Sequence, residues 1–153
     1  MKILLISDSH GHYTDIQRAI YNENPERIFF MGDGVEDLKK IEFGGVVDAV
    51  LGNNDHNLDY PLEKFVEIYG HKILLTHGHK FFVSPGIKII AQYAKKNEAD
   101  IAIFGHTHHR YDDTHFGVRC INPGCICGMY DLLFSYAVME IDENNYKIEF
   151  KEL

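Results

Sequence analysis

Residue types that bind metal ions recur in five short segments of the chain. The segments are Asp8-Ser9-His10, Gly32-Asp33, Gly52-Asn53-Asn54-Asp55, His77-Gly78-His79 and Gly105-His106-Thr107-His108. Imidazole and carboxylate groups favour Mn, Fe, Ni, Co or Zn over Ca. The candidate ligands include no thiolate and are Asp8, His10, Asp33, Asn53, His77, His106 and His108. Seven side chains are too many for one tetrahedral zinc site, so they predict two cations that share a bridging carboxylate.

The charge and composition of the chain exclude several classes of partner. The 153 residues include ten histidines and carry a formal net charge of −8, which repels the phosphate backbone of a long nucleic-acid duplex. No apolar run is long enough to span a bilayer or to form the core of a signal peptide. The cysteines Cys120, Cys125 and Cys127 are odd in number, unlike those of a secreted disulfide scaffold. We therefore expect a cytoplasmic protein with reduced, buried thiols and no membrane partner.

Each of the five segments follows a short apolar run that is typical of a buried strand. These predicted strands are Lys2–Ile6, Arg27–Met31, Val46–Leu51, Lys72–Thr76 and Asp100–Phe104. Ligands of open α/β sheets bind beyond the carboxyl ends of the strands, so five such ends in one sheet would bring the segments together. An extended backbone in Asp8-x-His10 and in His106-x-His108 would also place both side chains of each pair on one side.

Helical patterns separate several of the predicted strands. The segment Thr14–Gln17 has the form of a capping box, the apolar residues of 87–94 have helical spacing, and a weaker helix is expected from Val35 to about Ile41. The last third of the chain predicts strands without helices between them, at Arg110–Thr114, Gly117–Ile121, Phe134–Ile141 and Tyr146–Phe150. We expect one α/β domain over residues 1–153, with parallel and antiparallel strands and two sheets that could pack face to face.

In this order, the five segments resemble the pattern of the calcineurin-like metallophosphoesterase family. Residues 121–124, Ile-Asn-Pro-Gly, resemble a turn of that family, and the chain is most similar to its small members of the YfcE and archaeal phosphodiesterase type. The resemblance implies a four-layer α-β-β-α sandwich of two mixed sheets. It also implies ligand roles: Asp8, His10 and His108 for a first metal, Asn53, His77 and His106 for a second, and Asp33 as the bridge between them.

The activity that the resemblance implies is hydrolysis of small or activated phosphodiesters with two divalent ions. Manganese is the first choice, with Ni, Fe, Co, Zn or Mg as alternatives, and a hydroxide that bridges the metals would attack phosphorus in line. Asn54 stands where many phosphatases of the family carry a histidine that protonates the leaving group, and an amide cannot supply that proton. We therefore expect weak activity on poor leaving groups, and we take His79 as the first candidate for a substitute acid.

Two other functions fit the same sequence. One is a protein-binding scaffold, because the retromer subunit Vps29 resembles this family and is regarded as a scaffold with partly altered metal positions. The other is a metal-dependent phosphomonoesterase or nuclease. The chain keeps all seven candidate ligands, which favours catalysis, and it has no large insertion between the segments, which favours an open site. Phe81, Phe82 and Tyr130 could line the mouth of the site or a subunit interface, so a homodimer or homotetramer is compatible with the sequence.

Overall fold

The computed structural model describes residues 1–56, 59–127 and 134–153. Its strands are β1 (Lys2–Ile6), β2 (Arg27–Phe30), β3 (Val46–Ala49), β4 (Glu63–Ile68), β5 (His71–Thr76), β6 (Ile101–Ile103), β7 (Arg110–His115), β8 (Val118–Pro123), β9 (Ser135–Ile141) and β10 (Tyr146–Glu152). The α-helices are α1 (Tyr13–Glu23) and α2 (Lys88–Lys96), and short 3₁₀ helices span Val35–Lys39 and His79–Phe81.

The strands form two five-stranded mixed sheets. The first sheet has the order β10-β9-β1-β2-β3, in which β1, β2 and β3 are parallel and β9 and β10 are antiparallel additions. The second has the order β4-β5-β6-β8-β7, with β5, β6 and β8 parallel and an antiparallel strand at each edge. Each sheet therefore contains three neighbouring parallel strands, whose carboxyl ends lie together.

Alternating side chains of the central strands build three apolar layers. Ile3 and Leu5 of β1 belong to the core between the sheets, whereas Leu4 and Ile6 belong to the cluster that also contains the buried face of α1. Helix α2 packs in the same way on the outer face of the second sheet. The four-layer α-β-β-α architecture is thus confirmed.

The structure corrects three expectations about the strands. The sequence did not predict β4, where charged and apolar residues alternate on an edge strand. Strands β2, β3 and β6 are shorter than predicted, since β2 ends at Phe30, β3 ends at Ala49 and β6 spans Ile101–Ile103. The five strands that precede the metal-binding segments also do not form one sheet. Strands β1, β2 and β3 lie in the first sheet, and β5 and β6 lie in the second.

The predicted helix starts also need correction. Helix α1 begins at Tyr13 with His12 at its N-cap and no side-chain capping hydrogen bond, so Thr14 lies inside the first turn and the expected capping box is wrong. The segment expected to be a weak helix from Val35 to about Ile41 is a 3₁₀ helix that ends at Lys39.

Three features of the structure relate to the expected membrane contacts, subunit interface and thiols. Neither α-helix in the described part of the chain combines the length and apolar character needed to cross a membrane. Of the aromatic residues proposed for a mouth or an interface, Phe81 is buried and Phe82 is exposed, and Tyr130 lies outside the described residues. All three cysteines are buried, as expected.

Candidate metal centre

The loops after β1, β2, β3, β5 and β6 meet where the carboxyl ends of the two sheets face each other. Backbone hydrogen bonds tie neighbouring loops together: the Asp8 amide donates to the Gly32 carbonyl at 3.0 Å, and the His10 amide donates to the Asp33 carbonyl at 3.1 Å. On the second sheet, the Gly105 amide donates to the His77 carbonyl at 3.0 Å. The expected convergence of the segments is therefore present, although two sheets produce it.

Asp8 lies at the centre of the cluster and is fully buried. Its Oδ1 atom is 3.1 Å from His108 Nε2, 3.9 Å from His10 Nε2 and 4.0 Å from His77 Nε2. The other carboxylate oxygen accepts a hydrogen bond of 3.1 Å from the backbone amide of His106. One carboxylate therefore faces donor atoms from three different loops.

Asp33 forms the second focus of the cluster. Its Oδ2 atom is 3.5 Å from His77 Nε2 and 3.9 Å from His10 Nε2. The Nδ1 atom of His77 lies 2.7 Å from the Met31 carbonyl, so Nδ1 carries the proton and Nε2 faces the site. The Asn53 Oδ1 atom is 3.1 Å from the same Nε2 atom.

Two groups of side chains in the described residues place their donor atoms within 4.8 Å of one another. They are Asp8, His10 and His108 in the first group, and Asp8, Asp33 and His77 in the second. The ring of His106 lies 5.1 Å from that of His77, centroid to centroid, at the edge of the second group. All seven predicted ligands therefore surround one small volume.

The ligand-bearing loops are not extended. The φ angles of five of the seven ligands are positive, and these residues are Asp8 (57°), His10 (46°), Asp33 (58°), His106 (69°) and His108 (60°). The expectation that alternate residues converge on an extended backbone is therefore wrong. Left-handed conformations of such residues cost on the order of 1–3 kcal/mol each and are concentrated at functional sites.

Two glycines allow the loops to approach the carboxylates. A Cβ atom at Gly52 would collide with the carboxylate of Asp33, and one at Gly105 would collide with Ser7 Oγ and crowd the carboxylate of Asp8. Neither glycine has a positive φ, so the requirement at both positions is space rather than backbone conformation.

Asp55 holds the second and third loops together, a role that the sequence did not reveal. Its carboxylate accepts hydrogen bonds of 2.8–3.1 Å from the backbone amides of Asp33, Gly34, Val35 and Gly52. Its place in the third segment was visible in the sequence, but three of its four partners lie 20–22 residues away. The residue positions Asp33 without being one of the seven ligands.

Two buried side chains support the other loops. Asn122 Nδ2 donates to the Gly105 carbonyl at 2.7 Å, which holds the loop of His106 and His108. Asp37 Oδ2 accepts hydrogen bonds from Ser9 Oγ at 2.7 Å and from the Gly11 amide at 2.8 Å, which holds the first loop. The Ile-Asn-Pro-Gly turn was a signal for Asn122, whereas no motif indicated Asp37.

The buried carboxylates of the site differ from those elsewhere in the described residues. Among basic side chains, only histidines lie within 4.0 Å of the carboxylates of Asp8 and Asp33, whereas every other buried acidic residue in the described part of the chain has a lysine or arginine partner. Those residues and partners are Asp15 with Arg18, Glu23 with Lys2 and Lys151, Asp37 with Lys40, and Asp48 with Arg27 and Lys64. Asp8 Oδ1 and His10 Nε2 are also buried and have no hydrogen-bond partner. Because burial of an uncompensated charge is costly, this donor set fits divalent cations.

The pKa values reflect the close approach of these groups. Burial alone would raise the pKa of Asp33, but hydrogen bonds from His77 and Asn54 outweigh it and hold this pKa well below its usual range. Burial opposes protonation of His77, but the carboxylates of Asp33 and Asp8 raise its pKa. The Asp8 carboxylate, 3.1 Å from His108 Nε2, raises the pKa of His108.

The two predicted catalytic residues lie beside different ligands of the cluster. Asn54 is exposed, and its backbone amide and Nδ2 donate to the two Asp33 oxygens at 2.8 and 2.6 Å. The ring of His79 lies 5.5 Å from that of His77 and 6.3 Å from that of His106, and its buried Nδ1 has no hydrogen-bond partner. Burial and these two neighbouring histidines lower the pKa of His79.

Comparisons with known proteins agree with this geometry. Phosphodiesterase MJ0936 of Methanocaldococcus jannaschii is 29% identical over 167 residues, which cover 96% of this chain and 97% of that protein. A solved structure of a predicted phosphoesterase from Streptococcus pneumoniae has a TM-score of 0.81 at 26% identity. The alignment covers 99% of this chain and 88% of that one.

Vps29 of Entamoeba histolytica shares the fold, with a TM-score of 0.82 at 22% identity over 100% of this chain and 99% of that one. The family model of the calcineurin-like phosphoesterase superfamily domain matches residues 1–144. The match spans all five metal-binding segments and the loops that bring them together. The chain therefore belongs to the calcineurin-like phosphoesterase superfamily.

Proposed function

We propose that this protein is a phosphodiesterase that uses two divalent metal ions to hydrolyse small or activated phosphodiesters. The observation that carries this proposal is the pair of buried carboxylates, Asp8 and Asp33, which face histidines and no lysine or arginine. Similarity to the archaeal phosphodiesterase supports the reaction class. Manganese is our first choice, since a nitrogen and oxygen ligand set accepts Mn as well as Ni, Fe, Co, Zn and Mg.

The proposed ligand roles follow the two sides of the cluster. Asp8, His10 and His108 would hold one ion, Asn53, His77 and His106 would hold the other, and Asp33 would bridge them. When bound, the ions would lower the pKa of a water molecule and offset the negative charge that develops on the phosphoryl group.

The side chains around the ligands orient them. The Met31 carbonyl fixes the tautomer of His77, and Asn54 and Asp55 fix the carboxylate and the backbone of Asp33. Asn54 would donate to a phosphoryl oxygen through the second N–H of its amide, since the first donates to the Asp33 carboxylate. Such orientation matters because misplaced ligands weaken both metal binding and turnover.

Alkyl esters differ from activated esters because their leaving group must be protonated as it departs. Asn54 has no acidic proton, and burial together with His77 and His106 lowers the pKa of His79, which makes its protonated form less favourable. Leaving groups that depart without a proton, such as p-nitrophenolate, therefore suit the site best. We propose His79 as the group that supplies a proton to poorer leaving groups.

Metal dependence tests the proposed function. The protein is stripped of metal, reloaded with Mn²⁺ or Ni²⁺, and assayed with bis-p-nitrophenyl phosphate and with the monoester. We expect metal-dependent hydrolysis that is faster on the diester. Faster hydrolysis of the monoester would instead favour a phosphomonoesterase. Lack of hydrolysis with every divalent ion would favour a protein-binding scaffold.

The variant His79→Ala tests the proposed proton donor. We expect turnover of an alkyl diester to fall about 10²-fold, while p-nitrophenyl esters lose less than about tenfold, because only the alkoxide needs a proton. Equal turnover of the variant and the wild type on both esters would exclude His79.

A further inference from the structure

A cavity of about 410 Å³ adjoins the metal centre on the side of β1, β2 and β3. His10, Asp33 and Asn54 form its inner wall, and Glu36, Lys40 and His56 line the part beyond them. Its volume falls within the range of about 300–1,000 Å³ that is typical of small-molecule sites. The described residues contribute no apolar side chain to its lining, which is unusual for a ligand site and limits what it can bind.

The acidic groups in the cavity wall are mostly engaged with the protein. Asp55 accepts four backbone amides, and Asp37 accepts Ser9 Oγ and the Gly11 amide. The Glu36 carboxylate is paired at 2.9 Å with Lys39, a residue that is not part of the cavity lining. These carboxylates therefore form part of the cavity wall, but they offer a ligand few free hydrogen-bond acceptor positions.

Among the described residues that line this cavity, Lys40 is the one lysine or arginine. Its ammonium lies 3.3 Å from Asp37 Oδ1 and 5.3 Å from the centre of the Tyr13 ring, which holds it beside the cavity. An ammonium group has three N–H donors, and the contact with Asp37 uses one of them. Lys40 can therefore donate to oxygen atoms of a bound molecule.

We propose that this cavity binds the alcohol that stays esterified to phosphorus, and that this alcohol carries hydroxyl groups, as glycerol and sugars do. The inference rests on the proposed phosphodiesterase function and adds a substrate class to it. A phosphoryl group at Asp33 would place one ester substituent next to the inner wall. An apolar substituent would displace water from Lys40, Asn54 and His56 without replacing its hydrogen bonds, whereas hydroxyl groups can bond to the donor groups that Asp37 and Asp33 leave free.

The reaction itself is a simple hydrolysis. The oxygen of a water molecule forms a bond to phosphorus, the P–O bond to the leaving alcohol breaks, and the proton from water goes to the leaving alcohol or to solvent. The hydroxylated alcohol remains on the phosphomonoester product. The cavity therefore contacts the same substituent in the substrate and in the product.

Two esters that differ only in their hydroxyl groups test the proposal. They are 2,3-dihydroxypropyl p-nitrophenyl phosphate and propyl p-nitrophenyl phosphate, which share a leaving group, and uncatalysed rates are subtracted. We expect the wild type to show a KM about tenfold lower for the dihydroxypropyl ester, as expected from one or two hydrogen bonds. Lys40→Met should remove this preference, and Lys39→Met, which changes a neighbouring lysine outside the cavity, should retain it.

The ratio of the KM values for the two esters distinguishes a lost contact with the hydroxyl groups from general structural damage. If Lys40→Met acted only through Asp37 and the first loop, both esters would slow equally, and the preference would persist. Calorimetry gives a second measurement: glycerol 3-phosphate should bind the metal-loaded wild type about tenfold more tightly than propyl phosphate, and Lys40→Met should abolish the difference.

Hydrolysis of both esters with equal KM, or a preference that Lys40→Met leaves intact, would overturn the assignment of this cavity while leaving the proposed function standing. Absence of metal-dependent hydrolysis of both esters would overturn the proposed function and this inference together.

Discussion

The buried carboxylates of this protein are neutralised in two different ways. In the framework, Asp48 lies 2.6 Å from both Arg27 Nε and Lys64 Nζ, so the chain itself supplies the compensating charge. At the metal centre, Asp8 and Asp33 are just as deeply buried but are surrounded by histidines. The difference indicates that the chain's own side chains compensate the buried charges of the framework. The carboxylates of the site, in contrast, suit cations that come from outside the chain.

This comparison separates stability from activity. A change at the site should remove metal binding and leave the folded sandwich, because the apolar layers do not depend on Asp8 or Asp33. A change at Asp48 should instead destabilise the fold and leave metal binding intact. The variants below test this separation, beginning with the largest expected effect.

Asp33→Asn should reduce metal-dependent hydrolysis by more than about 10²-fold. Loss of a residue that only supports a ligand costs about 10–100-fold, and loss of the proposed bridging charge should cost more. Steady-state assays with bis-p-nitrophenyl phosphate measure the effect, and circular dichroism checks the fold. Activity within tenfold of the wild type would remove Asp33 from the bridging role.

Asp55→Asn should weaken metal binding about 10–100-fold, because the amide cannot accept all the backbone hydrogen bonds that now fix the loops of Asp33 and Gly52. Competition with a chelating dye measures the affinity. Glu36→Gln is the matched control, since that carboxylate is exposed and its partner among the described residues is Lys39. Equal affinities of the two variants would contradict the positioning role.

Asp48→Asn should lower the free energy of unfolding by about 1–3 kcal/mol at pH 7 and leave metal affinity unchanged. Breaking a buried ion pair costs more, but Arg27 and Lys64 are partly exposed, so solvent screens part of the loss. Urea denaturation measures the change. A shift in metal affinity with no change in stability would contradict the proposed division.

The same variant has a predictable dependence on pH. Burial would raise the pKa of Asp48, but Arg27 and Lys64 outweigh it and lower this pKa below its usual range. A lowered pKa means that the stabilisation is complete above the pKa of the unfolded chain and is lost as the pH falls through that of the folded state. The stability difference between wild type and variant should therefore be largest near neutral pH and shrink in acid.

The sequence located the side chains that cluster here because each one follows a buried strand whose pattern is local, and their role as metal ligands stays a prediction. It could not show that β1 and β5 lie in different sheets, since strand order depends on packing between distant segments. It also missed β4, where alternating charged residues resemble a surface segment because one face of an edge strand is exposed to solvent.

The supporting side chains were harder to predict than the ligands. Asp37 contacts Ser9 across 28 residues, and Asn122 contacts Gly105 across 17. No spacing rule connects such pairs, because their contacts arise only when the loops fold together. The left-handed backbone of Asp8 and His10 is likewise set by loop closure, so the sequence suggested an extended chain.

The stoichiometry of metal binding tests the central claim most directly. Metal-free wild type is saturated with Mn²⁺, freed of unbound ions and analysed by elemental mass spectrometry, beside Asp33→Asn and Asp48→Asn. The account predicts two ions per chain for the wild type and for Asp48→Asn, and fewer for Asp33→Asn. No bound ion in the wild type, or equal binding in Asp33→Asn, would contradict it.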